Sequence, residues 1–325
     1  MEEPSVSVVI PTFNQAAFLG QCIDQVLGEG YEALEIIVID DGSSDETKQV
    51  LESYERRIQT IHQENQGQAV ARAKGLELAS GELVCLLDSD DYWMSGFLSK
   101  LVPQFKRPSV GIAFANHCRV NGKGAVMDAD SFRNERLWIQ PFIDPSAESS
   151  WTVLDAGETR RMYLDNFPPS SSGALFRKEL VKYLPEKRLR RGDDYLFFMD
   201  LVLGSRCESA FTTETLWNLR THGTNIRQQN RNVDLLLSSD ILAKRLLLER
   251  HDEDLSAEEK RLLGEKMAVD YFDWGHALGT DRRVLEAAKK FLKAILSAPR
   301  SAASRQAFKG LVKLPLKALV SKNQS

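Results

Sequence analysis

Four short, largely apolar runs alternate with stretches of helical periodicity, and few folds accept that order. The runs are Val6 to Ile10, Glu35 to Ile39, Ile58 to His62 and Glu82 to Leu87, each β-branched or leucine-rich and each followed by polar or turn residues. Between the first two, Phe18, Leu19, Cys22, Ile23, Val26 and Leu27 recur at helical spacing, and Gly28 and Gly30 close the element. After the second run, Ser43 to Glu46 reads as a capping box opening a helix to about Tyr54. A third helix is expected over about Gln68 to Ala79. Strand and helix in strict alternation predict an α/β fold with an open, mostly parallel sheet and helices on both faces. Ligands of such sheets sit beyond the carboxyl ends of the strands.

Those ends are all polar: "PTFN" at 11 to 14, "DDGSSD" at 40 to 45, "QENQG" at 63 to 67 and "DSDD" at 88 to 91. Parallel strands deliver them to one edge. The last is the most telling, because "LVCLLDSDDYW" (83 to 93) sets Asp88, Asp90 and Asp91 directly behind an apolar strand. Three carboxylates there repel unless a cation sits among them. A hard divalent ion takes a few carboxylate oxygens plus phosphate and water, so the rim suits a phosphate-bearing ligand held through Mg²⁺ or Mn²⁺. The plainer alternative is a capping turn at a strand end.

Charge narrows the partners. The chain of 325 residues carries a formal charge of −4, but Arg300 to Ser325 holds six cations and no acid, so the remainder stands at −10. An acidic body of this kind is not expected to bind nucleic acid. Cys22, Cys85, Cys118 and Cys207 form no C-x-x-C pair, which argues against a zinc or disulfide framework and suits a reducing compartment. The start, "MEEPSVSVVIPTFN", has acids where a signal peptide needs bases, and no apolar run reaches the roughly 18 residues of a membrane span. A cytoplasmic protein is expected.

"SVVIPTFNQAAFLGQCIDQVL", "EIIVIDDGSSDET" and "NQGQAVARAKGLELASGELVCLLDSDDYW", in this order and spacing, resemble the family 2 glycosyltransferases of GT-A fold. The likeness runs over about residues 5 to 222. It implies transfer of a sugar from a nucleotide diphosphate donor, normally with inversion and a divalent metal. Carried over by position, it puts Pro11, Thr12, Phe13 and Asn14 along the nucleotide and Asp41 at the base. Asn65, Gly67 and Arg72 fall near the diphosphate, although Ala73 stands where that stretch usually has Asn. Asp88 and Ser89 lie beside the nucleotide sugar, and Asp88 and Asp90 form the D-x-D motif, with Asp90 the favoured direct metal ligand. "LRTHGTNI" (219 to 226) resembles the family's R-x-H and makes His222 a metal or phosphate contact. "RRGDDYLFFMDL" (190 to 201) matches the downstream acidic pair, with Asp194 as the base that takes the acceptor proton and Asp193 its neighbour. "PPSSSGALFRKEL" (168 to 180) resembles the segment that returns to the sheet beneath the acceptor.

Each of these residues also has a structural alternative: Asp41 as a binder of turn amides, Asp193 and Asp194 as a helix N-cap pair, His222 as a packed core residue. The function expected is an inverting, metal-dependent transferase acting on a glycan or lipid-linked acceptor in surface polysaccharide synthesis, with a UDP-sugar as donor. The alternative is a nucleotide-sugar-binding protein that has lost catalysis, against which intact Asp88, Asp90 and Asp194 argue. A dinucleotide or P-loop enzyme would need a G-x-G-x-x-G or G-x-x-x-x-G-K-[ST] that the chain lacks. A processive synthase is disfavoured by the absence of Q-x-x-R-W.

Residues 1 to 230 are thus expected as the catalytic domain, its donor half about 1 to 115 and its acceptor half about 116 to 230. Beyond lies a helical region, 231 to 325: Val233 to Arg250, a capping box Ser256 to Glu259 opening a helix to about Leu278, and Arg283 to Leu296. In the tail, Phe308, Leu311, Val312, Pro315, Leu316 and Leu319 fall on one face of a helical wheel beside Lys309, Lys313 and Lys317. That stripe fits either peripheral contact with an anionic membrane or docking on the protein's own surface.

Overall fold

The computed structural model describes residues 3–134, 137–143, 149–165, 170–189, 191–223 and 233–314. Arg190, Pro168, Pro169, Thr224 to Ile226, Pro315, Leu316, Lys317 and Leu319, all used in the sequence reading, lie outside them. The described chain contains the strands β1 Val6–Thr12, β2 Leu34–Asp40, β3 Gln59–His62, β4 Leu83–Leu86, β5 Tyr92–Trp93, β6 Val110–Asn121, β7 Val126–Asp128, β8 Trp151–Leu154, β9 Ala174–Arg177 and β10 Glu208–Thr221. Its helices are α1 Ala16–Gly28, α2 Thr47–Glu52, α3 Gln68–Leu78, α4 Phe97–Leu101, α5 Ser131–Asn134, α6 Ala156–Asp165, α7 Asp193–Ser205, α8 Val233–Arg250, α9 Ala257–Thr280, α10 Val284–Ser297 and α11 Ala302–Lys313.

The strands form one sheet in the order β3-β2-β1-β4-β9-β6-β10-β5, with β7 on β6 and β8 on β10. From β3 to β4 every pair is parallel. Val6, Val8 and Ile10 of β1 pack against Leu19, Cys22, Ile23 and Val26 of α1, whereas Val9, pointing the other way, meets α3. Both faces of the strand are therefore buried, which is why it reads as an unbroken apolar run. Each such Val or Ile stabilises the fold by about 1.5–3 kcal/mol when fully buried. Gly75 lets α3 approach this closely, since any Cβ there would overlap the Val9 side chain.

Register aligns the strand ends. Thr12 lies beside Asp40 and Asp40 beside His62, while Leu86 lies beside Val9, so Asp88 follows two residues on at the same edge. Next, β9 runs antiparallel to both β4 and β6, and β10 runs parallel to β6. These directions bring the start of β9 and the end of β10 to that same edge.

One expected element differs. The Ser43 to Glu46 capping box does not form, and α2 begins at Thr47 without a side-chain cap. Ser43 Oγ instead accepts the Asn14 N–H at 2.9 Å, and Asp45 accepts from Thr47 N and Ala16 N. The neighbouring loop after β1 has taken the capping groups.

The chain divides into two compact units, one of Met1–Arg188 with Asp193–Asn225, the other of Leu189–Gly192 with Ile226–Ser325. In the second, α8 to α11 enclose Ile241, Met267, Tyr271, Leu278, Ala287, Phe291, Ala294 and Ala307. The box at Ser256 and Glu259 is present, each side chain accepting the other's backbone N–H. The tail stripe is not a single face: Leu311 packs on this core, as does Leu314 beside the stripe, whereas Phe308 and Val312 are exposed. Among the described residues no helix is long and apolar enough to cross a membrane.

Candidate active site

At the carboxyl edge of the sheet, two loops lock together first. Asn14, at φ 52°, sits in the left-handed region that Asn tolerates, and its Oδ1 accepts from Ser44 N at 2.7 Å and Asp45 N at 3.3 Å. Pro11 and Thr12 are buried below, the Thr12 hydroxyl without a hydrogen-bond partner among the described residues. Phe13 projects outward.

Asp41 is buried, and both of its carboxylate oxygens accept hydrogen bonds. Oδ1 accepts from Gln63 Nε2 at 2.7 Å and Gln66 N at 2.9 Å, and Oδ2 from Gly67 N at 2.7 Å. Gly67 caps α3 at φ 95°, a backbone state that favours glycine. Asp41 thus fixes the 63 to 67 loop at the mouth of α3, and Asn65 is exposed on it. These are turn-amide contacts, and Oδ2 carries the one bond from Gly67 N among the described residues.

Arg72 likewise differs from a free phosphate ligand. Its guanidinium is buried and spans two carboxylates: Nη2 to Asp88 Oδ1 at 2.5 Å and Nη1 to Asp193 Oδ2 at 2.7 Å, with Ser171 Oγ 3.3 Å from Nη2. Burial opposes its charge, but the two aspartates more than restore it and hold the guanidinium above its ordinary range. Burial also pushes Asp193 up, Arg72 pulling it back and Asp194 adding repulsion. Arg72 therefore ties the D-x-D loop to the first turn of α7. Next to Asp193, Asp194 is half-buried, with Oδ1 accepting from Tyr195 N at 2.8 Å.

The aspartate loop itself sorts into roles. Asp91 is buried and bonded at both oxygens, Oδ2 accepting from Ser172 Oγ at 2.7 Å and Oδ1 from Arg220 N at 2.9 Å. Asp88 Oδ1 takes Arg72 and Gln68 Nε2, and no hydrogen bond reaches its Oδ2 among the described residues. Asp90 Oδ2 lies 2.9 Å from His222 Nε2. Ser89 is buried between them. Oxygens of Asp88, Asp90 and Asp91 all lie within 4.8 Å of one another. Burial first, then mutual repulsion, drives Asp91 well above the usual carboxylate range; burial raises Asp88 too, with Arg72 opposing. A divalent cation among them would favour the ionised carboxylates and offset both shifts. The carboxylate oxygens match the ligand preferences of Mn²⁺ or Mg²⁺.

Several residues escaped the sequence reading. Ser172 accepts the Asp88 N–H at 3.2 Å while donating to Asp91, and Gln68 steadies Asp88. Arg220 is the largest omission. Its Nε donates to Asp90 O at 2.9 Å, Nη2 to Gln21 Oε1 at 2.6 Å, and its guanidinium lies between the rings of Phe18 and Tyr92. The R-x-H spacing pointed at this arginine only as a flank of His222. Trp93 is packing, stacked on Phe97 with its Nε1 donating to Ser172 O.

Residues 7–184 match the family described as Glycosyl transferase family 2. The chain belongs to that family. Among curated relatives, the putative teichuronic acid biosynthesis glycosyltransferase TuaG of Bacillus subtilis is 35% identical over 169 residues, 50% of this chain and 67% of that one. The chain spans about two thirds of the length of the first such relatives. Among solved structures, residues 1–349 of TarS from S. aureus, in complex with UDP-GlcNAc, superpose with a TM-score of 0.67 at 18% identity, covering 95% of this chain and 88% of that one. The mannosyltransferase PcManGT of Pyrobaculum calidifontis, in complex with GDP-Man and Mn²⁺, gives 0.55 at 17%, covering 96% and 81%. These likenesses speak for a shared GT-A fold, a central, mostly parallel sheet followed by C-terminal helices. The family 2 chain is a glycosyltransferase.

Proposed function

We propose that the first unit transfers a sugar, with inversion, from a UDP-sugar to a hydroxyl of a glycan or lipid-linked acceptor. The observation that carries this is Arg72, which holds the D-x-D carboxylate Asp88 and the acidic pair at α7 in one cluster. In this reading Pro11 to Asn14, the loop shaped by Asp41 and the face of Asn65 and Gly67 receive the nucleotide. Asp88, Asp90 and His222 would hold Mn²⁺ or Mg²⁺, which when bound would offset the charge that develops on the leaving diphosphate. Arg72, Ser172 and Arg220 position those ligands. The acceptor oxygen forms its bond to the anomeric carbon as the bond to the diphosphate breaks, and Asp194 takes the hydroxyl proton. Asp193, committed to Arg72, is the positioning neighbour. Support for the donor comes from TarS and PcManGT, whose structures hold UDP-GlcNAc and GDP-Man. Support for a surface-glycan acceptor comes from TuaG. The work would be done in the cytoplasm, with residues 1 to 230 as the catalytic domain.

The test is thermal: UDP and UDP-GlcNAc should raise the unfolding midpoint in Mn²⁺, by mass action on the native state, and EDTA should remove most of the rise. Equal shifts with and without metal would refute the metal site. No shift with any nucleotide sugar would refute the reading as a whole.

A further inference from the structure

The second unit exposes an apolar seam with a one-sided charge. On α10, Leu292 and Leu296 are 48% and 77% exposed; on α11, Phe308 and Val312 are 60% and 66% exposed. The two helices are antiparallel neighbours, because Phe291 meets Gly310 while Ser304 Oγ donates to Ala298 O at 2.6 Å. Helix geometry then sets where the four side chains point. Lys290 lies over the Trp274 ring of α9, so α9 covers the side of α10 reached by turning back one residue from Phe291. Leu292 and Leu296 lie in the opposite rotational sense, at about 100° per residue. On α11, Ala303 packs on Ala268 of α9 and Ser304 faces α10, and Phe308 falls one further step round. Both pairs therefore line the seam between α10 and α11 on the side away from α9.

Charge identifies what covers it. From Ala287 to Leu314 there is no acid, and seven cations: Lys289, Lys290, Lys293, Arg300, Arg305, Lys309 and Lys313. Lys289, Lys293, Arg305 and Lys309 are exposed and fall next to the seam residues on the two helical wheels. A second copy would bring the same positive face against itself, and Pro315 to Ser325 adds Lys317 and Lys322 with no acid, so neither is complementary. An apolar ridge rimmed by cations matches the boundary between acyl chains and anionic headgroups. We infer that the α10–α11 seam docks the protein on an anionic bilayer surface. This stands apart from the transfer chemistry and from the sequence stripe: it adds Leu292 and Leu296 and removes Leu311.

The experiment is co-sedimentation of the full chain with vesicles of phosphatidylcholine alone or containing phosphatidylglycerol, at low and high salt. Binding is expected only to the anionic vesicles, falling as salt rises. The double variant Leu296→Asp/Phe308→Asp should abolish it, and each of Lys293→Gln and Lys309→Gln should weaken it by about fivefold. The thermal midpoint should hold in all three, since the altered side chains are exposed. Binding to neither vesicle, or equally to both, overturns the proposal. So does a midpoint that drops sharply in the aspartate variant, which would show the seam covered by the protein's own chain, or a halved molecular mass, which would show a second copy there.

Discussion

Two adjacent carboxylates, Asp193 and Asp194, are separated in role by one guanidinium. Arg72 bonds Asp193, is itself buried, and leaves Asp194 beside the cluster without that partner. Asp194→Asn should therefore lower turnover by about 10² or more with nucleotide binding retained, because only the proton acceptor is removed. Asp193→Asn should behave differently. It strips half the compensation from a buried cation, an effect of about 3–5 kcal/mol when an ion pair is broken, so its thermal midpoint should fall as well as its activity. If the Asp194 variant stays active and the Asp193 variant is dead but fully stable, the base is Asp193.

At the scale of elements, the donor side depends on how closely α3 lies on β1. Arg72 and Gly67 ride on that helix, so its height above the sheet sets the reach of the guanidinium. Gly75→Ala puts a methyl group into the Val9 side chain and should destabilise by about 1–3 kcal/mol, the usual cost of overpacking. Val9→Ala in the same chain should recover part of the loss, a coupling that a double-mutant cycle in urea would measure. Additive losses would show that Val9 is not what the methyl group meets. The register of β9 and β10 has a matching consequence: Ser172 and Arg220 reach Asp91 only because those strands run in opposite senses to one another across β6.

For the molecule as a whole, stability against acid follows from the carboxylates held low. Hydrogen bonds from Lys100 and then Ser150 lower Glu214, and a bond from Asn134 lowers Asp128. A depressed folded pKa contributes stability above the unfolded value of about 4 and loses it as pH falls through the folded one. Glu214→Gln should therefore show a shallower loss of thermal midpoint between about pH 5 and pH 3 than the parent chain. An identical slope would mean that this exposed pair is screened to nothing. The chain's local pattern carried the alternation of strands and helices through residue 86, the polar edge, the D-x-D loop and the capped start of α9, because each is written in local periodicity or in contiguous residues. It misread Ser43, whose hydroxyl a loop from another strand had claimed. Packing set which distant groups meet: Arg72 joins Asp88 to Asp193, Asp41 accepts from the 63 to 67 amides, and Phe308 and Leu311 of one helix face different surroundings. Those outcomes depend on which groups the sheet's register and the helix packing bring together across as many as 121 residues, and no spacing along the chain encodes that.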